Sequence, residues 1–359
     1  MPLYIDPDFN RLPSGLVDAF ADGRESFFDL PEWYGLIARH GILPGTETRV
    51  YTHPRVAPAA AILLQSQTGG KRRRLASLTN AHSLEHCVLC SSAPSFEASL
   101  AAIVSEIVSE RPRWDALQLA ELDPLAPSYA ALARALRHAG FLVEHSFSSG
   151  TWYEETAGLT FVDYLEARPS ELRNTWRRKS RKLQKSERVT KRFFCDNRDV
   201  ETAVADYQTV YAESWKPAEL FPDFVPGLIR LAAELGALRL GIYYLGGTPA
   251  AAQFWIVWKD RAFICKLAHD RRFDALSLGT ILTMEMVERV LAEDRPREIS
   301  LGRGDDPYKN LWLPRRRERW GITAANPRTL GGLHLGLKRQ AAAVYHRLRR
   351  DRVVRPGLV

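Results

Sequence analysis

Hydrophobic patterning is densest between Leu238 and Trp320. LRLGIYYL, PAAAQFWIVW and AFICKLAHD follow one another as three strand-like runs separated by short polar turns. In the third run Ala262, Ile264, Lys266 and Ala268 share one parity, and Phe263, Cys265, Leu267 and His269 the other. Both parities are largely apolar, as expected for a sheet covered on both faces. Leu278, Ile281, Leu282, Met286 and Val290 then fall on one helical stripe. A further strand follows, ending in a polar knot of Gly304, Asp305, Asp306, Tyr308 and Lys309. Polar residues thus gather at strand ends, where open α/β sheets place ligands.

The first 160 residues carry weaker but similar patterning. Short helices are expected around Gly15–Phe20 and Pro31–Arg39. A hairpin is expected from Glu47–His53 and Arg55–Gln67, with Pro54 and Pro58 at edges or turns. Strands at Leu75–Leu78 and His86–Cys90, a helix at Phe96–Val108 and a strand at Trp114–Leu119 follow. A helix at Tyr129–His138 and a strand at Phe141–Phe147 complete the series. Arg49-Val-Tyr and Pro58-Ala-Ala-Ala match Arg239-Leu-Gly and Pro249-Ala-Ala-Ala, and the run from Leu117 to Asp123 matches Ile299 to Asp305. This self-similarity points to duplication of one α/β unit. Beyond the halfway point, Val189–Cys195 reads as a strand and Val200–Trp215 and Phe224–Leu235 as helices, with a last strand near Arg319–Thr323 and a C-terminal helix from Leu333.

Charge sharpens this picture. The 359 residues carry a net charge of +8, and Arg173 to Arg192 holds ten Lys or Arg against one Glu. Lys338, Arg339, Arg347, Arg349, Arg350, Arg352 and Arg355 form a second basic region, so the remainder is slightly acidic. Arg173, Arg177, Arg181 and Lys185 recur every four residues and would line one helical face. Hydrophobic content of 45% describes a globular protein, with no basic leader ahead of an apolar stretch and no window of about 20 apolar residues. Four cysteines are too few for a disulfide scaffold, and a reducing cytoplasm fits. Cys87 and Cys90, with His82 and His86 nearby, offer zinc-type ligands. They fall within an expected strand and lack a second Cys pair, so no metal is expected; Cys195 and Cys265 read as strand core.

The second half resembles the GCN5-related N-acetyltransferase (GNAT) fold, and within it the CelD/BcsL-type acetyltransferases associated with bacterial cellulose and exopolysaccharide synthesis. The residues that carry the resemblance are RNTWRRKSRKLQK (Arg173–Lys185), VYAESWK (Val210–Lys216), LRLGIYYLGGTPAAAQFWIV (Leu238–Val257), KLAHDRRFDALSLGT (Lys266–Thr280), GRGDDPYKNLW (Gly302–Trp312) and RERWGI (Arg317–Ile322). The doubled architecture resembles the Fem-type aminoacyl transferases. Together these imply tandem GNAT-like α/β domains, each a mixed central sheet flanked by helices. Residues 1–155 would be a degenerate copy on the acceptor side. Residues 156–330 would be the catalytic domain, including the basic helix 170–187, and residues 331–359 a basic helix and tail.

The resemblance implies acetyl-CoA as acyl donor, with pantetheine against the backbone of Leu267 and Ala268. The pyrophosphate would sit at a helix N-terminus formed by Ser277, Leu278, Gly279 and Thr280, where free N–H groups and the helix dipole favour an anion. Ser277 is a natural N-cap, and this loop has one glycine where the family usually has two. Asp305, Asp306, Tyr308 and Lys266 are the expected catalytic residues. Repulsion between adjacent carboxylates would raise one pKa toward base work, and Asp305, Asp306 or a substrate anion would partner the buried Lys266 ammonium. Arg173, Arg177, Trp215, Lys216 and His269 are expected to bind substrate, a small-molecule or saccharide acceptor. N- or O-acylation of a polysaccharide or its precursor is the leading reading. The alternatives are a Fem-like aminoacyl-tRNA-dependent transferase and a non-catalytic polyanion-binding module, with an anionic ligand or membrane surface at the basic helix and tail. Only Trp176 interleaves the first basic run, which argues against a nucleic-acid stacking platform.

Overall fold

The structure is a computed structural model that describes residues 3–4, 25–53, 60–90, 96–185, 188–339 and 341. The helix expected at Gly15–Phe20, Pro54, Pro58 and the basic tail from Arg347 onward lie outside the described residues. The first half runs β1 (Leu3–Tyr4), α1 (Pro31–His40), β2 (Thr48–His53), β3 (Ala60–Gln67), β4 (Arg74–Ser77), β5 (Leu89–Cys90), α2 (Phe96–Ser109), β6 (Ala116–Leu122), α3 (Pro127–His138) and β7 (Leu142–Glu155). After the short α4 (Phe161–Glu166) and the basic α5 (Ser170–Gln184), the second half repeats the order. It gives β8 (Val189–Phe194), α6 (Val200–Ala212), α7 (Phe224–Glu234), β9 (Leu238–Leu245), β10 (Thr248–Trp258), β11 (Arg261–His269), α8 (Leu278–Glu293), β12 (Glu298–Arg303) and β13 (Arg315–Ala325). A helix at 330–339 (α9) follows. Among the described residues no helix is long and apolar enough to cross a membrane.

One mixed sheet joins both halves, in the order β1-β2-β3-β4-β6-β13-β7-β12-β11-β10-β9-β8, with β5 paired to β3. Reading inward from the two edges, β1 matches β8, β2 matches β9, β3 matches β10, β4 matches β11 and β6 matches β12. Parallel pairing occurs at equivalent places, β4 with β6 and β11 with β12. The two last strands are exchanged: β13 pairs with β6 of the first half and β7 with β12 of the second. They also pair with each other along the centre, from Leu142 opposite Ala325 to Tyr153 opposite Arg315. β7 is accordingly twice the length expected from Phe141–Phe147, because its polar alternation is buried between two neighbours rather than at an edge.

Helices cover both faces, as the two apolar parities of β11 require. On one face of the second half, α8 packs Leu278, Ile281, Leu282, Met286 and Val290 on Tyr243, Trp255, Ala262 and Ile264. On the other, α6 and α7 pack on Leu240, Ile242, Phe254 and Phe263 together with Trp33, Leu36 and Ile37 of α1. That second cluster ties the halves. Phe28 meets Phe263 edge-on at 5.2 Å and Trp33 meets Phe224 at 5.7 Å. Each such buried side chain contributes roughly 2–3 kcal/mol of burial. Beside them lies a buried ion cluster. Glu85 accepts from Arg261 Nη1 at 2.9 Å and from Arg319 Nη2 at 2.6 Å. Two readings of the cysteine-bearing strands are corrected. Only Leu89–Cys90 of the expected His86–Cys90 strand pairs, and Cys195 is exposed just past β8 rather than in the core.

Candidate active site

β11 and β12 are hydrogen-bonded only from Arg261–Phe263 to Glu298–Ser300, then separate. Two irregularities flank the point where they separate. In β11, Phe254 opposes Lys266 while Trp255 opposes Ile264, so Cys265 is an extra residue and forms a bulge. In β12, Gly302 has φ of +63°, and a Cβ there would come within 2.7 Å of the Ile264 carbonyl oxygen. A cavity of about 460 Å³ opens in the gap. It is lined from the α8 face by Gln253, Leu267, Gly279 and Thr283, and from the opposite face by His82, Leu84, Lys216 and Lys266. Gly302, Arg303, Asp306, Tyr308 and Lys309 close its third side. It therefore passes through the sheet, joining two surfaces that a fully paired sheet would keep apart.

The bulge changes what faces where. Ala262 and Ile264 pack toward α8, whereas Ala268 packs in the cluster containing α6 and α7. Lys266, expected to share a face with Ile264, points to the α6 side and sits 5.7 Å from the Tyr211 ring. Its partner is corrected as well: Lys266 donates to Glu219, not to Asp305 or Asp306. Glu219 also lies 3.3 Å from His82 Nε2. Burial works against the Glu219 charge, but hydrogen bonds from His82, Lys266 and Tyr211 outweigh it and hold the carboxyl well below its ordinary range. Burial pushes the His82 pKa down, opposed by Glu219, so the pair is a neutral imidazole beside a carboxylate. The His82 ring is fixed by stacking on Phe224 at 5.0 Å.

At the other mouth, the first turn of α8 presents its N–H groups without a side-chain cap. Ser277 occupies the cap position but adopts the left-handed conformation, φ +57°, and its hydroxyl caps nothing; the expected Ser277 N-cap hydrogen bond is not made. Gly279 is not required by packing. A methyl there would meet His269 Nδ1 at 3.4 Å and Leu267 carbons at 3.6–3.7 Å, ordinary contact distances. Glycine here leaves open space in front of the free amides. His269 Nε2 pairs with Asp274 at 2.9 Å while its buried Nδ1 has no partner among the described residues, and its ring lies 4.5 Å from Trp215. Gln253 donates to Thr283 at 3.0 Å, and its buried carbonyl oxygen is unpartnered among the described residues.

The two aspartates diverge. Asp305 is held by Arg316 through two bonds of 2.8 and 2.6 Å and does not line the cavity. The guanidinium keeps its carboxyl below the usual range, so the expected elevation does not occur at Asp305. Asp306 lines the cavity 3.6 Å from Lys309 Nζ. That ammonium, lowered in pKa by burial, also donates to the carbonyls of Arg303 at 2.9 Å and Gly304 at 3.2 Å and pins the strand exit. Tyr308 is half-exposed at the cavity wall, its phenol pushed up by burial and then by Asp306. Trp215 and Lys216 lie in the loop after α6, which ends at Ala212, and both line the cavity. Burial and then Lys266 lower the Lys216 pKa to about 8. Ala268, Leu278, Arg173 and Arg177 do not line it. Pattern reading missed Glu219 and Gln253, took His82 only as a zinc-type ligand, and placed Lys309 in the polar knot without a role. Of the two missed, Gln253 left a signal, as a polar residue inside an apolar run. Among the described residues no group of three or more His, Cys, Asp or Glu side chains could hold a metal ion.

Residues 170–310 match the family model of the acetyltransferase (GNAT) domain. Over these residues the chain carries a GNAT acyltransferase domain. No match was found among curated proteins. Solved structures share the fold along nearly the whole chain. FemX is 10% identical with a TM-score of 0.59, covering 89% of this chain and 96% of its own. A conserved protein of unknown function from Bacteroides thetaiotaomicron is 12% identical with a TM-score of 0.56, covering 91% and 100%. A tandem GNAT protein from the clavulanic acid biosynthesis pathway is 14% identical with a TM-score of 0.52, covering 91% and 99%. The GNAT fold thus occurs twice here, in tandem.

Proposed function

We propose that this GNAT protein transfers an acyl group, acetyl in the first instance, from acyl-CoA to a nitrogen or oxygen of a polysaccharide or polysaccharide precursor in the cytoplasm. The observation that carries the donor assignment is the cavity between β11 and β12 opening onto the uncapped start of α8. Free amides at 278–280 and the helix dipole suit a pyrophosphate, Gly279 leaves room for it, and the unpaired β11 edge beyond Phe263 suits an amide-bearing pantetheine arm. In the first half, Glu97 in the first turn of α2 disfavours an anion, which supports a single donor site. His82 and Leu84 reach the cavity from that half, which supports residues 1–155 as the acceptor side of a domain spanning 156–330. The saccharide acceptor rests on the CelD/BcsL resemblance.

The acceptor enters from the His82 face. Its proton passes to His82, whose Nδ1 has no hydrogen-bond partner among the described residues, as its lone pair attacks the acyl carbonyl. The departing thiolate takes the Tyr308 proton, which the raised pKa keeps on the phenol. Calorimetric titration with acetyl-CoA tests the donor site. One site of micromolar affinity is expected, lost in Gly279→Val, whose branched side chain fills the space before the amides, and kept in Gly279→Ser. No binding to the parent protein would overturn the donor assignment. A second reading, an aminoacyl-tRNA donor, is favoured by one observation. Arg177, Arg181 and Lys185 are exposed on or just after α5 without a carboxylate partner among the described residues. Tight tRNA binding with no acetyl-CoA binding would select it.

A further inference from the structure

We infer that the acceptor carries an anionic group, a carboxylate or a phosphate, which binds the ammonium of Lys216. The inference rests on the acyl-transfer reading and concerns the acceptor face of the same cavity. Four cationic side chains line the cavity walls: Lys216, Lys266, Arg303 and Lys309. Three are compensated within the protein. Lys266 is paired with Glu219, Arg303 Nη2 lies 2.8 Å from Glu121, and Lys309 binds two carbonyls and lies 3.6 Å from Asp306. Lys216 has no carboxylate within 4 Å among the described residues. Its ammonium lies 5.7 Å from the neighbouring Trp215 ring.

The local charges make this an unbalanced site. Lys266 and Lys309 repel Lys216, and Glu219 and Asp306 attract it. Both carboxylates already serve another lysine, and Glu219 also serves His82. An ammonium held in a partly desolvated cavity against like charges costs free energy unless a ligand supplies the opposite sign. Position distinguishes the ligand. The donor phosphates belong at the α8 start, whereas Lys216 interacts with Lys266 and Glu219 on the side where the acceptor enters; its neighbour Trp215 reaches the His269 ring at 4.5 Å, so the CoA arm of the test separates the two ends. Trp215 beside it, half-exposed, adds an apolar platform for the acceptor body. A ring or chain bearing both a nucleophile and an acid group fits this arrangement, with the acid group steering the nucleophile toward His82. Binding of the anion should weaken as pH rises above about 8, where Lys216 loses its proton.

The test is lysine reactivity in the full chain. Brief labelling with acetic anhydride near pH 8, read by peptide mass spectrometry, compares Lys216 with the exposed Lys259. The arms are protein alone, with CoA, with inorganic phosphate, with acetate, and with CoA plus each anion. CoA alone is expected to leave Lys216 reactive. Phosphate or acetate is expected to cut its labelling about tenfold at a concentration about ten times the dissociation constant, with or without CoA. Lys259 should not change. The arm that protects identifies phosphate or carboxylate. Protection by CoA alone would place Lys216 at the donor and overturn the inference, as would labelling unchanged by either anion. Calorimetric failure to bind CoA would remove the acyl-transfer reading while the anion arms still report on Lys216.

Discussion

Asp29 offers the sharpest test of the buried cluster that joins the halves. It ends a short 3-10 turn, Phe27–Asp29, and is 6% exposed, beside Cys87, Glu85, Arg261 and Arg319. Burial first, and then the Glu85 charge, raise its pKa from 3.8 to about 7; the two arginines only partly offset this. A folded-state pKa above the unfolded one means the folded state holds the proton more tightly. Stability is therefore complete below about pH 4 and falls as pH rises toward 7, where the loss levels off. At about 1.4 kcal/mol per tenfold change, the full loss is about 4 kcal/mol, of which roughly 2–3 accrue between pH 5 and pH 8. Asp29→Asn keeps the shape of the protonated form and cannot ionise. Urea unfolding at both pH values should show the variant gaining on the parent by that 2–3 kcal/mol as pH rises. A stability difference that stays constant across the range would mean that Asp29 ionises freely and that the cluster is wetter or better compensated than its geometry implies.

Three further outcomes follow from the same structure. Glu85→Gln leaves Arg261 and Arg319 buried without their shared carboxylate and should cost about 3–5 kcal/mol in urea unfolding; a loss under about 1 kcal/mol would mean the arginines find other partners. Tyr308→Phe should lower kcat by about 10²–10⁴-fold with the unfolding midpoint unchanged, since the phenol is half-exposed; an unaltered kcat would reduce Tyr308 to a wall. Reversing Arg177 and Arg181 to Glu should raise KM for donor or acceptor more steeply at low ionic strength, and identical kinetics at low salt would make α5 a solvated face.

Sequence periodicity served the second half well because its strands are long and its helical stripes clear. The α8 stripe and the β9–β11 run could both be located from pattern. What failed was whatever one extra residue could change. The bulge at Cys265 broke the parity of β11 and moved Lys266 to the opposite face, and no two-residue pattern signals that. Partners distant in sequence were equally hidden. Glu219 lies in an irregular loop, and His82 was visible only as a zinc-type ligand beside two cysteines, not as a partner of Glu219. Ser277 has the right side chain for a cap, but the residues before it turn the backbone into the left-handed region, and only then is its hydroxyl withdrawn. The tandem repeat was visible in sequence; the exchange of β7 and β13 was not, because both copies have the same local pattern whichever neighbour each strand chooses.

That exchange governs how the chain can reach its native state. The N-terminal copy lacks the neighbour of β6 until β13 arrives, and Leu119 opposite Ile322 closes a loop of about 200 residues. During synthesis the first half must wait with an open, largely apolar strand edge while the whole second half emerges. Neither copy can then be cut free as an independent piece, since each would leave without a central strand. Contacts of such long range slow folding, but they also make the two copies unfold together. The donor helix and the acceptor wall thus share one mechanical fate, held by a joint that forms last.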